Sequence, residues 1–537
     1  MKLLSVQIGD SGRCGGILDG FEVFLRDAAT AAETGFTPLC LLGRNGTGKS
    51  QFLQTLAEIF QASWHACARL EERQSSIEGQ PFVVEYLMPV SADATHVRIS
   101  QSTGDPSLRI SRLVDGEWLE CALDDAQTRA LLPTRVIGYT SGENETLSAP
   151  FFASRAGYAG EVALRALPGR KPGKPSEGTD PLEPRLMLID YGTHLELLVA
   201  NLLLGTMDQQ QALLEVAGLE SLRSVRCVVQ LAGGRRNATS VRRNGGRKGV
   251  QLTDELETYV ANLKACSTCW HYDAARETYT FDYWCDQATV TAFQSFFGNA
   301  FELYRALHKL ALLNDLAISR AARKRFERAV TSQKFASRLP EPPDEDKVFR
   351  FEQVTFRADS GHRTVDYVSL SDGEHQLVEI LGVFAMIKEP NVLFLLDEPE
   401  SHFNPQWRVA FMNRLRSIPT EDGSRESGSV ASAQEVLLTT HAPFVPSDMS
   451  RENVVIFERA DGKVTARSPE IETFGASFEQ ILEHCFRVEP PISEIARETI
   501  DALMASQDAK MIEAVLPKLG SSVEKVILID HLHNLKS

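Results

Sequence analysis

Gly43-Arg-Asn-Gly-Thr-Gly-Lys-Ser50 follows the apolar run Phe36 to Leu42 and precedes SQFLQTLAEIFQ, in which Phe52, Leu53, Leu56, Ile59 and Phe60 recur at helical spacing. The order of strand, glycine-rich loop and amphipathic helix gives the loop its chemistry. Its glycines let the backbone curl until successive N–H groups point at one anion. Lys49 can then reach the outer phosphate oxygens of a nucleotide, and the Ser50 hydroxyl completes a Mg2+ shell. Gly43, Asn45, Gly46, Gly48, Lys49, Ser50 and Gln51 are the expected phosphate-binding residues, with ATP and Mg2+ as the expected ligands.

Two further apolar runs end in reactive side chains. Asn391-Val-Leu-Phe-Leu-Leu-Asp397-Glu398-Pro399 closes on paired carboxylates, and Val436-Leu-Leu-Thr-Thr-His441 closes on a histidine. A strand buried on both faces reads as a continuous hydrophobic run, and open α/β sheets place ligand chemistry at its C-terminal tip. On that reading Asp397 holds Mg2+, directly or through water, and Glu398 orients or deprotonates the attacking water. His441 would contact the γ-phosphate or that water. Leu370-Ser-Asp-Gly-Glu-His-Gln376 enters the helix LVEILGVFAMI, and its serine and glycine suit an anion, although an ordinary helix cap looks the same. Leu186 to Asp190 also ends in a carboxylate but lacks a second acid, so Asp190 reads as a strand end.

In that order, GRNGTGKS, LSDGEHQ, LLDEP and TTHAP resemble the Walker A, signature, Walker B and switch-histidine motifs of ABC-type ATPases. Asp372 and Glu374 depart from the LSGGQ signature in a way similar to SMC and RecF-like proteins. Glu400 to Pro405 resembles the E-x-x-L-H-P stretch of the OLD and RecF-like branch, with Phe403-Asn404 in place of Leu-His. The resemblance spans roughly the first 60 residues and Phe349 to Phe457. It implies a homodimer or higher oligomer of ATPase heads, in which Ser371, Gly373 and Glu374 of one subunit close over the nucleotide of another. Tyr139 to Glu145 is the candidate for a nucleotide-sensing loop related to the family's glutamine loop. The layout resembles the stand-alone AAA ATPases of restriction-linked and Septu-like antiphage systems. That implies an ATPase subunit controlling a separate nuclease or effector. A RecF-like DNA-repair ATPase and a low-turnover nucleotide-sensing scaffold are the alternatives.

The expected fold class is α/β: an ABC-type head with a mixed P-loop sheet and an antiparallel β lobe, interrupted by an α+β middle domain and followed by a helical tail. The corresponding boundaries are 1–150, 151–345, 346–470 and 471–537. Within them, Phe82 to Tyr139 reads as the β lobe, and Thr420 to Gln434 as a disordered surface insertion. The net charge of −16 disfavours a surface that coats nucleic acid throughout. The best local footprint for DNA, a candidate partner, is Gly233 to Lys248 with Arg235, Arg236, Arg242, Arg243, Arg247 and Lys248, for which a solvated loop is the alternative. Cys266, Cys269, His271 and Cys285 invite a zinc reading, but the alternation of a β-hairpin puts Cys266 and Cys269 on different faces. Nine scattered cysteines, the lack of a signal-peptide core and the lack of a membrane-spanning run point to the cytoplasm, with no membrane contact.

Overall fold

A computed structural model of the chain describes all residues except 34, 69–71, 73–76, 78, 90–93, 142–144, 167–180, 182, 190–193, 233–248, 320, 326–327, 329–341, 359–360, 427–428, 489–491 and 537. The basic segment Gly233 to Lys248 and Asp190 therefore lie outside the described residues, as does most of the Ser141 to Glu145 loop.

The central sheet has seven strands in the order Lys463–Arg467, Val454–Ala460, Leu39–Leu42, Glu435–Thr440, Val392–Asp397, Arg135–Thr140 and Leu186–Ile189. All neighbours run parallel except the first pair. Continuous apolar runs are expected where both faces are covered, and the alternating side chains indeed enter two cores. Leu39, Leu41, Leu393, Leu395 and Leu437 pack with helix Lys49–Cys67 and the antiparallel lobe. Cys40, Leu42, Phe394, Leu396 and Leu438 pack on the other face with helices His194–Leu204 and Asp372–Met386.

The lobe is a six-stranded antiparallel sheet, ordered Phe21–Phe24, Lys2–Ile8, Phe82–Pro89, Ala94–Ser102, Asp105–Val114 and Glu117–Glu120. Arg135–Thr140, expected at the end of this lobe, instead lies in the central sheet beside Val392–Asp397. Its buried residues on both faces suit a parallel interior strand better than a half-solvated antiparallel one.

The sheets also ignore the expected cuts at 150 and 345. Leu186–Ile189 extends the head sheet as an edge strand. Phe349–Ala358 and Arg363–Asp366, assigned by sequence to the head, join Ser221–Gln230 and the hairpin Cys269–Asp273/Thr278–Trp284 in a five-stranded antiparallel sheet. The physical reason is the shared core: Val225, Cys227 and Phe281 of that sheet pack with Val354 and Phe356.

Thr420 to Gln434 is not a loose surface insertion around Arg425. Arg425 is fully buried, donates to the Phe384 carbonyl and to Gln434 Oε1, and lies over the Phe36 and Phe384 rings. A buried guanidinium is tolerated when carbonyls and aromatic faces receive it, a pattern that composition does not reveal.

The expected tail divides. Helix Phe478–Phe486 places Ile481, Cys485 and Phe486 in the head core, whereas helices Glu494–Ala505, Ala509–Val515 and Val523–Lys536 close on a small core of their own, Leu503, Ile512, Leu528 and Leu532. Among the described residues no helix is long and apolar enough to cross a membrane.

Candidate active site

Glu435–Thr440 lies between the P-loop strand Leu39–Leu42 and the carboxylate strand Val392–Asp397, with Leu42 opposite Thr440 and Asp397 opposite Thr439. Because the three strands are parallel and in this register, residues 43, 398 and 441 leave the sheet at one edge. That edge gathers Lys49 and Ser50 with Asp397, Glu398 and His441.

The loop Gly43–Ser50 wraps back on itself, with Gly43, Gly46 and Gly48 at φ 149°, 78° and 85°. Gly43 has a second constraint: a Cβ there would lie 2.5 Å from the Phe457 carbonyl oxygen of the neighbouring strand. Lys49 is buried, and its Nζ donates to the carbonyls of Gly43 at 2.7 Å and Arg44 at 3.2 Å. Burial pulls its amine below the ordinary lysine range, while the charges of Glu398 and Asp397 oppose that shift. Asn45 and Gly46 are exposed at the loop crest, and Gln51 occupies the first turn of the following helix.

Ser50 Oγ donates to Asp397 Oδ1 at 3.0 Å across 347 residues of sequence. Thr439 Oγ1 donates to the same oxygen at 2.6 Å and accepts the Glu398 N–H at 3.0 Å. Burial pushes the Asp397 carboxyl above its ordinary range, while the Thr439 and Ser50 hydroxyls pull it down. Asp397 is nearly inaccessible at 3%, whereas the Glu398 and His441 side chains are 31% and 49% exposed. Glu398 adopts φ 50°, a conformation that costs a residue with a Cβ about 1–2 kcal/mol, and its Oε1 lies 3.0 Å from His441 Nδ1. Strain of this kind persists where surroundings over-determine it, here through Thr439 below and His441 beside.

The oxygens of Ser50 and Asp397 are hard donors of the kind that Mg2+ takes together with water and phosphate, and the buried Lys49 amine suits a polyphosphate. The residues present therefore fit a nucleotide with its metal. Among the described residues no group of three or more His, Cys, Asp or Glu side chains forms a metal cluster. Cys266 is buried and Cys269 exposed, and Cys269 and His271 share one face of the hairpin's edge strand.

Ser371 caps helix Asp372–Met386 in a reciprocal box: its Oγ receives the Glu374 N–H, and Glu374 Oε2 receives the Ser371 N–H at 2.7 Å. Neither side chain bonds to the P-loop of the same chain. A Cβ on Gly373 would lie 2.8 Å from the His402 carbonyl, which explains the glycine by close approach. Phe403-Asn404 also acquires a role. Phe403 packs on Trp407 and Phe411, and Asn404 Oδ1 caps helix Pro405–Ser417 through the Trp407 N–H.

Sequence reasoning missed several residues that organise this edge. Thr439 joins both carboxylate residues, and Thr440 is hydrogen-bonded to the buried Glu400. Gln376 donates to the Ser141 carbonyl and accepts the His402 N–H, tying the signature helix to two neighbouring loops. A pair of threonines immediately before the histidine was the available signal for the first two; Gln376 closes the quoted LSDGEHQ stretch, but nothing in the linear pattern showed that it bonds to Ser141 and His402.

Residues 289–448 match the family described as "AAA domain, putative AbiEii toxin, Type IV TA system". The match includes Ser371, Gly373, Glu374, Asp397, Glu398 and His441 and leaves out the P-loop. Compared with solved structures, the chain is similar to the SMC head domain from Thermotoga maritima, with 10% identity and a TM-score of 0.31, over 88% of this chain and 100% of that one. No curated protein matches.

Proposed function

We propose that the chain binds ATP with Mg2+ and hydrolyses it to ADP and phosphate. The observation that carries this reading is the joining of Ser50 to Asp397 and of Glu398 to His441 at one sheet edge, around the buried Lys49. Backbone N–H groups of Gly46 to Ser50 would hold the β- and γ-phosphates, with the Lys49 amine turning from its two carbonyls to their oxygens. Ser50 and Asp397 would hold Mg2+, which when bound neutralises charge on those oxygens. Glu398, held by His441, takes the proton of a water that attacks the γ-phosphorus as the bond to the β,γ-bridging oxygen breaks. Glu398→Gln is expected to retain ATP affinity and to lower turnover by about 10²–10⁴-fold. Unchanged phosphate release in that variant would overturn the assignment.

Hydrolysis in this reading resets a clamp of two heads. Ser371 and Glu374 bond to each other and not to their own P-loop, which supports their action on the nucleotide of another subunit. The family description over 289–448 names a putative toxin of a toxin–antitoxin system, which supports a role as one component of a multi-protein system. A regulator in a defence complex, acting with a separate nuclease or effector and with DNA as a candidate ligand, is our reading of the motif resemblance. Glu398→Gln should then migrate as a dimer or higher oligomer in ATP and as a monomer without it; one elution position in both conditions would remove the clamp.

A further inference from the structure

Helix Phe478–Phe486, which sequence reading assigned to a tail without a role, is fastened to the candidate site at both ends. At its C-terminal end, the Arg44 guanidinium of the P-loop donates to the carbonyls of Phe486 and Arg487, each at 3.3 Å. These are final carbonyls of a helix, where partial negative charge favours a cation. Arg467 donates to the His484 carbonyl and pairs with Glu458, which also receives Arg487, so the same helix end is bound to the strand beside the P-loop strand.

At its N-terminal end, the segment leading into the helix is laced to the loop that carries His441. The Gly475 N–H donates to the Ser447 carbonyl at 2.9 Å, Ser447 Oγ to the Ala476 carbonyl at 2.8 Å, and Thr473 Oγ1 to the Met449 carbonyl at 2.5 Å. Phe478 packs edge-on against Phe444, three residues after His441, with ring centroids 4.7 Å apart. Arg408 lies over the other partner, Phe444, and donates to the Ser401 carbonyl in the turn after Glu398. Between the two ends, Ile481 and Cys485 are buried in the head core, so the helix is seated as a rigid element.

We propose that helix Phe478–Phe486 is a strut coupling the P-loop to the His441 loop, with Arg44 and Phe478 as its positioning residues. The coupling has a direct physical route. Lys49 Nζ holds the Arg44 carbonyl at 3.2 Å, and the guanidinium of that same residue holds the helix end. Transfer of the lysine amine to phosphate releases the Arg44 backbone, and the shift reaches Phe444 and the Glu398–His441 pair through the helix. Placement errors near 1 Å at a reacting group are enough to alter rates, so a strut of nine residues with both ends pinned can matter to turnover.

This inference rests on the ATP-site reading, and its test separates the two. ATP affinity is measured first, by titration of Glu398→Gln with a fluorescent ATP analogue; absence of binding overturns the site reading and the strut with it. With binding established, hydrogen exchange of residues 478–486 is compared with and without ATP and Mg2+. A change in protection that Arg44→Ala abolishes is expected. Unaltered exchange in a nucleotide-bound protein overturns the strut and leaves the ATP site standing. In turnover, Phe478→Ala is expected to lower kcat about tenfold with KM little changed, and Phe478→Leu to restore most of it. The double variant Phe478→Ala/Phe444→Ala should be no worse than either single variant. Additive effects, or full kcat in a Phe478→Ala protein with native thermal melting, would overturn the proposal.

Discussion

At the P-loop edge, Ser50, Asp397, Thr439, Glu398 and His441 hold one another in a chain of contacts that no other subunit needs to complete. At the signature, Ser371 and Glu374 satisfy each other and nothing else nearby, although they begin a helix whose interior is buried. Both regions carry motif residues in the sequence, the phosphate loop and carboxylate pair more plainly than the departing signature, yet one is assembled by the fold and the other only displayed by it. Motif strength reports the chemistry a residue can perform, whereas the presence of its partners depends on which strands become neighbours.

The comparison can be broken at its stronger half first. Lys49→Ala removes the buried amine, and ATP affinity should fall by about a hundredfold, because a charge-assisted contact to phosphate is among the stronger hydrogen bonds. Retained affinity in an equilibrium binding titration would mean that the assembled edge is not the phosphate site.

The displayed half calls for a different experiment. Ser371→Ala/Glu374→Ala should leave ATP affinity of the isolated chain within about twofold and lower hydrolysis about tenfold, since in the proposed clamp the lost contacts are made only in the closed state. Mixing this variant with Lys49→Ala should recover activity if two heads share their sites as proposed, because one of the two sites then has both an intact P-loop and an intact signature. No recovery on mixing would place the signature in the service of its own chain, or of another partner altogether.

The smallest effect concerns stability. Burial raises the folded-state pKa of Asp397, so the ligand-free fold carries a cost whenever this carboxyl is charged, and that cost disappears as pH falls through the folded value toward the unfolded value of about 3.9. Asp397→Asn should therefore raise the melting midpoint of the ligand-free protein at neutral pH by on the order of 2 °C, with the gain shrinking on acidification. A midpoint that drops at neutral pH would show that the Ser50 and Thr439 bonds outweigh desolvation.

The parts legible in sequence were those in which one short segment contains its own reason. The phosphate loop states its strand, glycines and helix in order, and the apolar runs ending at Asp397 and His441 announce strands covered on both faces. The sheet boundaries were less legible, because Phe349–Ala358 reads as a strand in any context and only the neighbouring Ser221–Gln230 decides which sheet it joins. Arg425 falls in a stretch whose composition reads as a disordered surface insertion, because composition cannot show that Phe36, Phe384 and Gln434 converge on it.

By itself, the sequence determined the chemical inventory: a P-loop with its lysine and serine, a carboxylate pair, a histidine and a capped signature helix, each specified by local spacing. Tertiary structure decided their assembly. Placing Glu435–Thr440 between the P-loop and carboxylate strands brings Ser50 to Asp397 and His441 to Glu398. Such long-range juxtaposition depends on strand order and register, which are set by the packing of two cores against the sheet and leave no periodic trace in the chain.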